Sequence, residues 1–106
     1  MTGEVRVLLY ATAPAGRADT VERAYHEISG RLDGTPGLLG NELLGDVRRP
    51  GDFVVLSRWT SLGAFRRWEE GDQHRGATSP LRPLQDRGRG ETFGVYEVLA
   101  SYGRQE

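Results

Sequence analysis

An imidazole titrates near neutral pH and can accept a phenolic or carbon-bound proton. This chain has two histidines. His74 shares a helical face with Ala77 and Leu81, which turns it toward the interior as a candidate general base or a structural histidine. His26 falls on the solvated side of an earlier helix. Arg75 and Arg82 are expected near the mouth of a substrate pocket, where a permanently charged guanidinium can steady an enolate or phenolate oxygen. Trp59 and Trp68 offer flat walls for an aromatic ring. The indole N–H of Trp59 is a further candidate donor to a substrate oxygen; its plainer role is to fill space between helix and sheet. Asn41 and Ser57 are polar residues on expected strands, placed either as pocket donors or at an edge.

Composition removes other chemistries. The 106 residues contain no cysteine, which excludes disulfides, thiolate nucleophiles and thiolate metal sites. All 14 basic residues are arginine, so Schiff-base and lysine general-base chemistry are absent too. Two histidines far apart in sequence make no convincing metal site. There is no phosphate loop, no dinucleotide fingerprint and no His-Glu-x-x-His. Arg87-Gly88-Arg89-Gly90 reads as a solvated loop. A net charge of -1 gives no global field toward nucleic acid or a membrane. No apolar run approaches the ~20 residues a bilayer requires. Met1-Thr2-Gly3-Glu4 does not open a signal peptide, so the expected compartment is the cytoplasm.

The elements that position these residues follow from periodicity. Residues 1–106 form one domain, with an ordered core expected over about 4–100. A strand is expected from Val5 to Thr12, then a helix from Arg17 to Asp33 whose apolar stripe is Val21, Ala24, Tyr25, Ile28 and Leu32. A second strand, Leu38 to Arg48, holds Gly40 and Gly45, which suggests a bulge or a close backbone approach. Arg49-Pro50-Gly51-Asp52 reads as a hairpin turn. The clearest strand is Phe53 to Trp59, with Phe53, Val55, Ser57 and Trp59 on one face. Ser61, or Thr60, caps a helix from Leu62 to Glu70, which Gly71 ends. An irregular helical piece follows toward Gln85, and a last strand runs from Thr92 to Ala100. The order is β-α-β-β-α-β, the ferredoxin-like α+β pattern: an antiparallel four-stranded sheet with both helices on one face. The opposite face, with Val54, Leu56, Tyr96 and Val98, is too apolar to leave in water, which predicts a homodimer packed sheet against sheet.

Several segments together resemble the antibiotic biosynthesis monooxygenase superfamily of dimeric α+β barrels. They are Pro36-Gly37-Leu38-Leu39-Gly40, Phe53-Val54-Val55-Leu56, Trp59-Thr60-Ser61-Leu62-Gly63-Ala64-Phe65 and Gly71-Asp72-Gln73-His74-Arg75. The resemblance implies a dimeric barrel and a small-molecule pocket, but not one reaction. The haem-degrading branch has a histidine nine or ten positions after its second tryptophan, where this chain has Ala77 and Thr78. That branch also has an asparagine on the first strand, against Leu8-Leu9-Tyr10 here. The quinone-forming branch has an asparagine and a tyrosine where this chain has Val55 and Phe65.

The expected activity is a cofactor-independent monooxygenase acting on a small aromatic, polyketide-like substrate, oxidising an anthrone or phenol to a quinone. His74 and Trp59 are its expected catalytic residues. Trp68, Phe65, Val55, Ser57, Asn41, Arg82 and Arg75 are expected to bind substrate, and no metal or other cofactor is expected. The alternatives are a cyclase or isomerase working by proton transfer without oxygen, and a non-catalytic small-molecule-binding dimer.

Overall fold

Alternation decides which side of each strand meets the helices. In strand β1, Val5–Thr12, residues Val5, Val7 and Ala11 are buried while their neighbours are more open. The computed structural model describes residues 3–71, 80–85 and 93–103. Within them the chain runs β1, helix α1 (Ala18–Leu32), β2 (Leu38–Gly45), β3 (Asp52–Trp59), α2 (Leu62–Glu70), a short 3-10 turn (Arg82–Leu84) and β4 (Phe93–Glu97). The strands form one four-stranded sheet in the order β2-β3-β1-β4, and each neighbouring pair is antiparallel. This is the expected ferredoxin-like topology, with both helices on one face.

Two cores lie between sheet and helices. Under α1, Val21, Ala24 and Ile28 pack with Ala11, Val55 and Leu81. Under α2, Ala64 and Phe65 pack with Val5, Val7 and Trp59. The expected stripe of α1 is therefore its buried face. Its outer face carries the spaced ion pairs Arg23–Asp19 and Arg31–Glu27, each 3.0 Å long, and exposed pairs of this kind contribute only a few tenths of a kcal/mol.

Local chemistry sets the element ends. Ser61 caps α2, its hydroxyl accepting from the Ala64 N–H at 3.1 Å, and the Gly71 N–H closes the other end on the Trp68 carbonyl. Strand β2 stops at Gly45, short of the expected Arg48. The Asp46 carboxylate accepts from the backbone N–H groups of Arg48 and Arg49 at 2.8 and 3.1 Å, which bends the chain out of the ladder. The expected bulge falls between Leu38 and Gly40, where the register shifts. The last strand ends at Glu97 instead of Ala100, although the Val98 N–H still donates to the Glu4 carbonyl at 2.8 Å.

The sheet's far face is apolar at one end and charged at the other. Leu8 pairs Leu56, Tyr10 pairs Val54, and Arg6 pairs Arg58. Among the described residues no helix is long and apolar enough to cross a membrane.

Gly37 joins α1 to β2 at φ +85, and a Cβ there would stand 2.5 Å from the Ala64 Cβ. Gly34 has almost the same φ, +82, with nothing within 4 Å. We expect Gly34→Ala to cost ~1–2 kcal/mol from the left-handed backbone alone. Gly37→Ala adds overpacking of ~1–3 kcal/mol. Urea unfolding of the two variants measures the difference, and equal losses would show that β2 yields freely to α2.

Candidate functional site

A tryptophan that ends a strand beneath a helix must bury its rings and still find an acceptor for its N–H. Trp59 does both. It is 1% exposed and packs edge-on against Phe65, with centroids 5.5 Å apart, and tilted against Trp68 at 5.3 Å. Its indole N–H donates to the Ser57 hydroxyl at 2.9 Å. This corrects the expectation that the Trp59 N–H serves a substrate oxygen: two residues along a strand return to the same face, and Ser57 takes the donor first.

Between the two cores lies a cavity of about 220 Å³, at or just below the small end of organic-ligand pockets, which run ~300–1,000 Å³. Of the expected site residues, Asn41, Val55, Ser57, Trp59, Phe65 and Trp68 all line it. Trp59 is so deeply buried that little of its surface is left to meet the cavity. The half-buried Trp68 is the broader aromatic wall. Arg82 opens the 3-10 turn, but its side chain lies outside the described residues, as do His74 and Arg75.

Four lining or supporting residues escape sequence reasoning. Glu69, Gln85 and Ser29 line the cavity. Gln85 is brought there by a bridge to Ala11, a pairing with no local signal. Glu69 is next to Trp68 on α2, so the helical spacing that fixes one nearly fixes the other. The fourth is Tyr25, assigned to the apolar stripe of α1. Its ring does pack there, but its hydroxyl donates to the Asn41 side-chain oxygen at 2.5 Å. The Ser29 hydroxyl donates to the same oxygen at 3.2 Å. Spacing carries a signal for this, since Tyr25 and Ser29 are one helical turn apart.

Among the described residues the cavity is thus apolar and aromatic over most of its wall, with neutral polar groups on α1, β2 and β3 and at Gln85, and one carboxylate, Glu69, on α2. Such a site can desolvate a flat ring, orient one of its oxygens and exclude water. Among the described residues no group of three histidine, aspartate or glutamate side chains could hold a metal ion.

The model of a family described as antibiotic biosynthesis monooxygenase matches residues 4–79. Protein SchA of Streptomyces halstedii is 30% identical over 95 residues, which is 90% of this chain and 24% of that protein. A mycobilin-producing heme oxygenase of Mycobacterium tuberculosis is 31% identical over 58 residues, or 55% of either chain. The chain spans about a quarter or less of the length of the curated relatives it matches first. Among solved structures, a mutant form of SnoaB, a cofactor-independent oxygenase from Streptomyces nogalater, superposes with a TM-score of 0.79 at 20% identity. The match covers 96% of this chain and 99% of that one. Likeness at that identity is likeness of fold.

Removing the Trp59 ring leaves a void the cores cannot close, so Trp59→Ala should cost ~3–5 kcal/mol in urea unfolding. Trp68→Ala removes a ring already partly open to the cavity and should cost clearly less. Equal losses would show that the two rings share one structural task.

Proposed function

Since the chain belongs to the antibiotic biosynthesis monooxygenase family, we propose that it is a cofactor-independent oxygenase of small aromatic, polyketide-like molecules, converting an anthrone or phenol to a quinone. The observation that carries this is the aromatic-walled pocket between helices and sheet, with a few polar groups on an otherwise apolar wall. The chemistry asks little more of a protein. Deprotonation makes the substrate electron-rich enough to pass an electron to dioxygen. In the anthrone case the methylene becomes a carbonyl: one oxygen atom enters the product and the other leaves as water with the two methylene hydrogens. The substrate supplies all four electrons, so no external reductant is needed. The protein contributes a dry site, a base and donors for the anion.

His74 is the base in this reading, and Arg75 or Arg82 assists the anion. Trp68 holds the ring, Trp59 and Phe65 pack behind it, and Val55 keeps the wall apolar. Purified protein should consume oxygen with 1,8-dihydroxyanthrone and release the quinone. His74→Ala should lower kcat by ~100-fold or more with little change in KM. Glu69→Gln, at the one carboxylate among the described lining residues, should leave kcat near that of the parent. Absence of oxygen uptake over a panel of hydroxylated anthrones would sink the reading, and full turnover without oxygen would make the protein a cyclase or isomerase.

The active form is proposed to be a homodimer joined through the far face of the sheet. Leu8, Tyr10, Val54 and Leu56 form a continuous patch there. Leu44 beside it is 41% exposed and Tyr96 52%. Burying such side chains yields ~25 cal/mol per Å², and a second copy presents the same surface in return. Sedimentation equilibrium should give twice the chain mass, and Leu56→Arg should return a folded monomer. A parent that sediments as a monomer at micromolar concentration would refute the dimer.

A further inference from the structure

A side-chain amide has two distinct ends, and fixing one decides what the other presents. Asn41 stands on β2 with its side-chain oxygen held by two hydroxyl donors from α1, Tyr25 at 2.5 Å and Ser29 at 3.2 Å. Both lone-pair directions of that oxygen are thereby filled. Among the described residues the Asn41 NH2 has no acceptor, and the residue lines the cavity.

Ser57 stands directly across from it. Asn41 and Ser57 are register partners on β2 and β3, and antiparallel partners carry their Cβ atoms ~4.5–5.5 Å apart on one face. The Ser57 oxygen accepts the Trp59 N–H at 2.9 Å, which leaves its O–H to donate elsewhere. Among the described residues that O–H too has no acceptor. Two donors, each oriented by a hydrogen bond to its other end, therefore meet at one spot on a wall that is mostly apolar.

We infer that Asn41 and Ser57 form a two-donor cradle for a phenolic or enolic oxygen of the ligand, with Tyr25, Ser29 and Trp59 as the residues that aim it. This deepens the reading of the cavity as an aromatic-binding site and rests on it. Two fixed donors in a low-dielectric wall stabilise an oxygen that carries or develops negative charge more than they would in water. They equally penalise a ligand that has a methyl group in place of the oxygen, because the donors are then buried without partners. The cradle thus selects for oxygenated rings and sets which edge of the ring faces β2 and β3.

The experiment compares 1-naphthol with 1-methylnaphthalene, two probes of nearly equal size, by calorimetric titration under argon. The parent should prefer the naphthol by about ten-fold or more. Asn41→Leu keeps the size but removes the NH2 donor and offers no new acceptor to the naphthol O–H. It should cut the preference to about three-fold or less, with Ser57 the donor that remains, and leave binding of 1-methylnaphthalene no weaker than in the parent. Tyr25→Phe should reduce the preference without abolishing it, since Ser29 still holds the amide; a purely structural Tyr25 would weaken both probes alike. If Asn41→Leu fails to fold, Ser57→Ala makes the same test with the other donor. Equal affinity of the parent for both probes, no binding of either, or a preference left undiminished by these substitutions would overturn the cradle. The assay contains no oxygen, so a failed oxygenation with an intact naphthol preference would refute the reaction and leave the cradle standing. Oxygen turnover with no preference would do the reverse.

Discussion

Everything in the site depends on one buried indole. Trp59 pairs with Val5 on one side and Leu38 on the other, so its backbone is held by both neighbouring strands. Its rings then have one place to go, beneath α2, where Phe65 and Trp68 meet them. An indole N–H in that position needs an acceptor, and Ser57 supplies it from the same strand. The hydrogen bond therefore does two things. It satisfies a donor that would otherwise cost ~1–3 kcal/mol, and it orients a serine hydroxyl at the cavity wall.

The cavity is a consequence of having two cores rather than one. The α1 core gathers around Val21, Ile28 and Leu81, and the α2 core around Trp59 and Phe65. The side chains between them on the sheet are small or polar: Ser57 on β3 and Asn41 on β2. Neither is large enough to fill the gap, and both need partners. Larger apolar residues at those positions would have merged the two cores into one solid layer.

Strand alternation and helical stripes made the topology legible, because burial repeats with the period of each element. The bulge near Gly40, the Ser61 cap and the Gly71 stop were legible for a similar reason, since each rests on one residue type in a local geometry. Six of the expected site residues line one cavity because strand and helix periodicity fix which face a residue occupies. Periodicity says nothing about where the far end of a long side chain goes. Tyr25 shows this: its ring belongs to the stripe of α1, while its hydroxyl reaches across to β2. The Trp59 N–H was misassigned on the same ground, since its competing acceptor was visible only as one more residue on the strand. Gln85 reaches the cavity through a tertiary bridge, which no local pattern reports.

The central ladder joins β1 to β3, with Val5 opposite Trp59 and Thr12 opposite Asp52. The whole of α1 and β2 lies between those partners in sequence. Closing so long a loop carries an entropic cost that is recovered only when the ladder forms, and topologies rich in such distant pairings fold slowly. Until that ladder closes, β3 has no neighbour on one side, and the wall that Ser57 and Asn41 begin lacks Val7 and Leu9 of β1. The cavity is therefore complete only once that ladder has closed. A chain that has formed only its helices and its β2–β3 hairpin has nothing with which to bind a ligand, and a ligand that does bind reports on the closed fold as a whole.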